Sequence, residues 1–527
     1  MSLHRRFTPL HLLMISINGM VGSAWLFAPL YAAKIAGSAA IIAWLIGGIG
    51  TAVIALTFAE LSVMFPVAGG TAQIPQISHG ILTSFMVSWI AWLSALTMAP
   101  IETQAMLQYA STYFTSLTVI ENGIPVLSWV GMIVAFLLML TMCIINVASY
   151  NGLIRSNLII FSFKILVILL TVTVLIRTSF HPENFIGMFS ITTNFTGWQA
   201  ILTAVATGGI AFAFTGFKHG VELAGETKNQ AVAIPLAIVG SVIGCLILYI
   251  GLQIAFIAAL SPDMLKNGWA DLSFIGDVGP FAGLAAGLGL VWLLKLLYID
   301  AVVSPGGAGL IYVTSTARIL YAMSHIGYLP RWLQHLNKQS FPVTAIFVNF
   351  ILGMFLFLPL PGWQAMVSFL VSGMVISYAM GPVSLLCLRL ERPNDARPFK
   401  LPAAWLICPF AFYFCNLLSY WCGWETIWKL SIAMIIGAAL FSIAVIRKQI
   451  TISHYNIRSG LWMVPYLIGL VLISYLGAYG GKEIIPFGWD FVVIAIFSAV
   501  ILYLAVISRA TINEQVLDKN LEIASTY

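Results

Sequence analysis

Lys164 stands in the run IIFSFKILVILL, Glu102 in MAPIETQAML and Asp300 in LLYIDAVVSPGG, each an ionisable group among apolar neighbours. Such a side chain at the middle of a membrane helix costs about 2.5 to 3.5 kcal/mol on insertion scales, so each needs a reason. Desolvation disfavours the charged form, which makes Lys164 a candidate to take up and release a proton. Its alternative is a permanently charged structural strut that donates to backbone carbonyls of the first helix. Glu102 is either a second proton-exchange site or the partner of a nearby hydroxyl. Asp300, one turn before Ser304, is the candidate counter-ion of Lys164, and Ser304 a further candidate partner of that lysine.

Other charges have blander readings. Glu60 and Glu222 lie toward span ends, where gate or packing ion pairs with Arg318 or Lys228 are expected. Lys218 and His219 follow a glycine-rich stretch, and Lys218 is the one cation there able to meet a substrate's side-chain carboxylate. No HExxH, Walker P-loop or CxxC motif occurs, so no metal or cofactor is expected. The six cysteines lie in or beside apolar stretches without ligand spacing and read as small hydrophobes.

The elements that position these groups follow from composition. Of 527 residues, 60% are hydrophobic and 8% charged, against about 25% charged in a soluble globular chain. A soluble enzyme is excluded. The net charge of +6 is too scattered for nucleic-acid binding, which leaves an all-α polytopic protein whose partner is the lipid bilayer. A helix needs about 20 apolar residues to cross the hydrocarbon core. Fourteen transmembrane runs qualify, at 10–34, 38–65, 82–110, 126–147, 153–176, 198–223, 231–260, 282–318, 343–359, 363–390, 402–421, 426–446, 460–480 and 489–508. With an even count most of the 24 Lys and Arg fall on one side, which predicts a cell-membrane protein with both termini cytoplasmic. The expected organisation is an N-terminus at 1–9, a core at 10–392, accessory helices at 393–508 and a tail at 509–527.

Two spans carry helix breakers. The first holds Asn18, Gly19, Gly22 and Ser23 at mid-depth; the sixth holds Gly208 and Gly209, then Thr215 and Gly216. A membrane helix is interrupted only where protein or a water-filled cavity takes over the freed backbone groups. Interruptions at corresponding places in two halves point to a transporter's binding site, where half-helix N-termini face anions and unwound carbonyls face cations. Close packing through small residues is the simpler alternative for either cluster alone.

Four stretches resemble one family. NGMVGSAWLF at 18–27 is similar to the helix-one motif of the amino acid, polyamine and organocation (APC) superfamily. AELSVMFPVAGG at 59–70, GFKHGVELAGETKN at 216–229 and STARILYAMSHIGYLP at 315–330 resemble its later motifs, in the same order. The runs APIETQAMLQYAS at 99–111 and GFKHGVELAGE look most like the bacterial aspartate/proton symporter subgroup. Ala24 departs from the glycine usual after the serine in helix one, and Gln230 from a proline in the loop after helix six.

The resemblance implies the LeuT-type fold, a 5+5 inverted repeat with additional C-terminal helices. It implies a substrate carboxylate on the N–H groups of Gly22, Ser23 and Ala24. The ammonium would sit on carbonyls of Met20 or Val21 and of Ala211, Phe212 or Phe214, with Phe212 and Phe214 as walls and Thr215 and Gly216 completing the site. In proton-coupled relatives a helix-five lysine replaces a bound sodium, and Lys164 matches that position. The expected function is proton-coupled uptake of an amino acid, acidic ones such as aspartate or glutamate included, by alternating access and without enzymatic chemistry. A pH-independent exchanger or uniporter for amino acids or polyamines, and a membrane nutrient sensor, stay open as alternatives.

Overall fold

The computed structural model describes residues 7–67, 69–121, 124–148, 150–188, 195–274, 279–337, 341–360, 362–447 and 458–510. Most of the expected N-terminal segment 1–9 and nearly all of the tail 509–527 lie outside them. The first five spans are built from α1 (Pro9–Met20), α2 (Ala24–Ala36), α3 (Ala40–Met64), α4 (Gly70–Leu96), α5 (Met98–Ala110), α6 (Trp129–Ala148) and α7 (Tyr150–Thr178). The next five use α8 (Phe195–Thr207), α9 (Ile210–Ala213), α10 (Lys218–Glu222), α11 (Gln230–Pro235), α12 (Ser241–Ala259), α13 (Pro280–Gly287), α14 (Val291–His325), α15 (Val343–Phe355), α16 (Gly362–Tyr378) and α17 (Met380–Glu391). The last four are α18 (Ala404–Trp421), α19 (Trp424–Ile446), α20 (Met463–Leu476) and α21 (Trp489–Ile507).

Each of the fourteen expected spans is helical among the described residues, though not every one is a single long helix. Eleven helical stretches are long and apolar enough to cross a membrane, and one of them, Ala24–Met64, holds the end of the first span and all of the second. Val343–Phe355 and Met463–Leu476 are shorter apolar helices. Two boundaries differ from expectation. The eighth span starts at Val291, because the glycine-flanked turn after α13 separates Pro280–Gly287 from it. The fourth span starts at Trp129 rather than 126, because Val126 and Leu127 belong to a small antiparallel hairpin, Thr118–Glu121 paired with Ile124–Leu127.

The two breaks fall where the glycines stand. α1 stops at Met20 and α2 resumes at Ala24, leaving Val21, Gly22 and Ser23 outside the helices. The sixth span is interrupted twice: after Thr207, and again between α9 and α10, where Thr215–Phe217 forms a single 3-10 turn. Gly209 takes φ +90°, a left-handed conformation that a β-carbon opposes, and it caps α9 there. The breaks cross at Gly216, where a β-carbon would lie 2.6 Å from the Met20 nitrogen and 2.8 Å from the Gly19 carbonyl carbon. Both contacts are backbone and cannot step aside. Gly216→Ala is therefore expected to cost about 1–3 kcal/mol by overpacking, read as a lower melting temperature in detergent together with lost uptake.

Around the crossing, α14 packs on α4 and α5, α16 on α4, and α12 on α3 and α7. The helices from Ala404 onward lie outside this set, with α18 against α3, α8, α16, α17 and α21. At one end of the bundle the segment before α1 runs beside the loop that follows α10. Phe7 donates its N–H to the Glu226 carbonyl (3.1 Å) and accepts from Lys228 N (2.8 Å). Glu226 also pairs with Arg318 of α14 at 2.8 Å.

Candidate functional site

The unwound carbonyls of the first span are capped from three helices. Lys164, buried on α7, donates from Nζ to the carbonyls of Val21 (2.7 Å) and Asn18 (3.3 Å). Tyr312 Oη of α14 donates to Gly19 O, and Tyr249 Oη of α12 to Met20 O, both at 2.8 Å. Losing helical partners in a membrane leaves backbone groups that cost several kcal/mol each if unmet, and these side chains meet them.

The opposite polarity is met by an acid. Glu102, buried on α5, accepts the Ser23 N–H on Oε2 at 2.7 Å. Gly22 donates back to Met20 O at 3.0 Å. Of the amides expected to hold a substrate carboxylate, Ser23 thus already holds a carboxylate that belongs to the chain. Ala24 opens α2, directly beyond it.

Asp300 and Ser304 bond to each other near Lys164, without a direct contact to its ammonium. Ser304 Oγ donates to Asp300 Oδ1 (2.8 Å), and Trp25 Nε1 donates to Oδ2 (3.1 Å). Among the described residues Lys164 forms no ion pair within 4 Å with Asp300. The expected partnership of Ser304 with Lys164 is corrected accordingly. Ser304 lies one turn past Asp300 on the same helix, and its hydroxyl is within easy reach of that carboxylate.

The sixth-span residues form a wall whose carbonyls are engaged from within the span and from α16. Phe212 O accepts from Thr215 Oγ1 at 2.8 Å, Ala211 O from Phe214 N at 3.3 Å, and Thr215 O from Tyr378 Oη at 3.1 Å. A carbonyl has two lone pairs, and Phe212 O takes the Phe214 N–H as well and Thr215 O the Lys218 N–H. Phe214 sits edge-on to Trp44 and Tyr249, and Phe212 edge-on to Trp363. Trp363 stacks on Tyr31 and donates Nε1 to Ser23 Oγ at 2.9 Å, so it touches both breaks.

Sequence reasoning missed Trp25, Tyr249, Tyr312, Trp363 and Tyr378. An aromatic residue inside an apolar run looks like core, and only its hydroxyl or indole N–H, which needs a partner when buried, hints at more. Glu60 and Glu222 also depart from the expected pairings. Glu60 of α3 accepts from Arg389 Nε at 3.0 Å and Nη2 at 2.5 Å and from Leu401 N at 2.7 Å, with Arg397 Nε 3.2 Å away. Glu222 accepts from the Thr71 hydroxyl, while Arg318 goes to Glu226. Arg389 and Arg397 were out of view because they lie more than 300 residues from Glu60 in sequence.

Among the described residues, fourteen helical spans, the first and sixth broken and crossed at a buried polar centre, define a multi-pass membrane transporter of the LeuT-type architecture. Residues 7–441 match the family described as amino acid permease, and the chain belongs to that family. It is 38% identical to the glutamate/serine transporter AimA of Bacillus subtilis (strain 168) over 508 residues, covering 94% of this chain and 93% of that one. It is 34% identical over 499 residues to the aspartate-proton symporter of the same organism, covering 94% of each. Identity to the branched-chain amino acid permease BcaP of that organism is 23% over 453 residues, covering 84% of this chain and 93% of the other. The chain is a membrane-embedded transporter of amino acids and not an enzyme.

Proposed function

We propose that this permease couples amino acid uptake to protons, with acidic amino acids among its substrates and both termini in the cytoplasm. One observation carries the reading: Lys164 and Glu102 grip opposite polarities of the same break, at Val21 O and Ser23 N. Each grip depends on protonation. Lys164 donates most strongly as an ammonium, and Glu102 accepts most strongly as a carboxylate. A proton gained at Glu102 weakens its hold on the Ser23 N–H, which becomes available to the substrate's α-carboxylate. A proton lost from Lys164 releases Val21 and Asn18 and lets α1 move relative to α7. The substrate ammonium then meets carbonyls of Met20 or Val21 and of Ala211, Phe212 or Phe214, with Thr215 and Gly216 beneath. Trp363 and Phe212 cover the site from the side. Asp300 with Ser304 stands behind α2 through Trp25 and sets the electrostatic background for Lys164.

The names of two relatives, a glutamate/serine transporter and an aspartate-proton symporter, support an acidic substrate class and proton coupling. The excess of Lys and Arg in loops on one side supports the orientation. The test is uptake of labelled aspartate and serine into liposomes with an imposed pH gradient. Accumulation above the outside concentration, abolished by a protonophore, is the expected result. Uptake that needs preloaded amino acid and ignores the gradient makes the protein an exchanger. Glu102→Gln keeps an acceptor at Ser23 but removes the ionisable group. It is expected to retain substrate exchange while its uptake loses most of its pH dependence between pH 5 and 8, as measured in the same vesicles.

A further inference from the structure

Ser23 stands at the N-cap position of α2, yet its hydroxyl makes no capping bond to that helix. Serine is favoured at such a position because its side chain can take a backbone N–H. Here the hydroxyl is turned to other partners. It accepts the Trp363 indole N–H at 2.9 Å and bonds the Glu102 carboxylate, which also holds the Ser23 N–H at 2.7 Å. A hydroxyl that accepts from an indole keeps its own proton to donate. The three groups therefore form one chain, from the indole N–H through the Ser23 hydroxyl to an anion.

Trp363 and Gln364 begin α16, where α2 and α8 come together. Gln364 Nε2 donates to Thr207 O at the end of α8, at 3.3 Å. The tip of the indole lies against Gly209, where a β-carbon would come within 2.7 Å of Cη2. Its ring stacks on Tyr31 and lies 5.5 Å from Phe27, which Tyr109 meets edge-on. Trp363 and Phe27 are 1% and 0% exposed, so water does not reach Ser23 past them. In the orientation proposed above, α2 and α8 are the outer halves of their spans, and this aromatic layer is the outer barrier.

We propose that Trp363 is the positioning residue of that barrier, latched to the first break while an anion sits on Ser23: the Glu102 carboxylate in the empty permease, the substrate's α-carboxylate in the loaded one. The proposal rests on the uptake reading above for the orientation and for the α-carboxylate at Ser23. An anion at the end of the chain polarises the hydroxyl and strengthens the indole bond to it, whereas a neutral group weakens that bond. The ionisable groups around Glu102 are Lys164 of α7, Tyr249 of α12 and Tyr312 of α14, with Asp300 of α14 acting on Lys164. Protonation of Glu102 in the empty permease thus loosens the outer barrier, and an arriving substrate fastens it again behind itself.

The test follows labelling of Thr207→Cys by a membrane-impermeant maleimide in right-side-out membrane vesicles at one fixed pH. The unsubstituted chain, whose six cysteines are buried, is the blank. Trp363→Phe keeps a ring and loses the N–H, Ser23→Ala keeps the amide and loses the hydroxyl, and Glu102→Gln keeps an acceptor and loses the charge. Each, added to Thr207→Cys, is expected to label about twofold to tenfold faster, the range of one hydrogen bond. Trp363→Phe combined with Glu102→Gln should label no faster than either alone. Aspartate and serine on both sides of the membrane should slow labelling in Glu102→Gln but not in Trp363→Phe, a difference that a merely structural tryptophan does not produce. Labelling of Trp363→Phe at the parent rate overturns the proposal, as do multiplied rates in the double variant, or substrates that slow both single variants alike or neither. Should Trp363→Phe fail to fold, Ser23→Ala carries the same expectations. Gradient-driven uptake by the wild type is measured separately: indifference to the gradient overturns the uptake reading, and the labelling rates still decide the latch.

Discussion

Lys164→Gln, reconstituted in liposomes, is expected to lose pH-driven accumulation by about tenfold to a hundredfold. The reason lies in what the ammonium holds. Its bonds to Val21 O and Asn18 O are charge-assisted, and bonds to charged groups contribute about 1.5–3 kcal/mol each. Losing that much shifts the balance between two arrangements of the first span by one to two orders of magnitude. Lys164→Arg separates charge from proton exchange. A guanidinium stays protonated at every accessible pH, so this variant should bind substrate and melt at a temperature near that of wild type, yet fail to accumulate it. Full gradient-driven accumulation by either variant would remove Lys164 from the coupling step. Melting in detergent, followed by size-exclusion chromatography, separates that outcome from simple misfolding.

The largest stability effect is expected from Glu60→Ala. This carboxylate is fully buried and serves Arg389, Arg397 and the Leu401 amide, joining α3 to α17 and to the loop before α18. Removing it leaves two guanidinium groups facing each other without an anion. Breaking a buried pair by deleting one partner costs about 3–5 kcal/mol, because the remaining charge is uncompensated. The melting temperature in detergent should fall further than for any other single charge deletion. By contrast, the pair Lys429–Glu425 at the start of α19 has an exposed acid, and its removal should leave the melting temperature unchanged within error. A Glu60→Ala protein as stable as wild type would mean that water reaches the cluster.

The spans and their interruptions were legible in the sequence because both follow from chain-local rules. Apolar length marks a crossing, and glycines at mid-depth in the first and sixth spans mark backbone that other groups must satisfy. Lys164, Glu102 and Asp300 stood out for the same reason, as charges where charge is costly. What met the broken backbone was not legible. The donors Tyr249, Tyr312 and Tyr378 come from three distant helices, and nothing local distinguishes a tyrosine that fills space from one that caps a carbonyl. The occupation of the Ser23 amide by Glu102 depends on the approach of α5 to the start of α2. Ser304 was misassigned for a simpler reason: a hydroxyl one turn from an acid on the same helix is satisfied locally before a distant lysine can compete. The hairpin before α6 escaped because Val126 and Leu127 continue the apolar run that follows and four-residue strands carry no pattern of their own.

The pairing of Phe7 with residues 226 and 228 has a mechanical consequence. It straps the lead-in of α1 to the trailing edge of α10, so in the transport cycle proposed above the two half-helices are expected to move together. Freeing the two from the rest of the bundle means releasing Arg318 from Glu226, Gly69 and Thr71 from Glu222, and Lys164, Tyr249 and Tyr312 from the carbonyls of α1, whereas parting α1 from α10 means breaking backbone bonds as well. A fluorophore fixed next to Phe7 therefore rides on the moving part and reports its stroke.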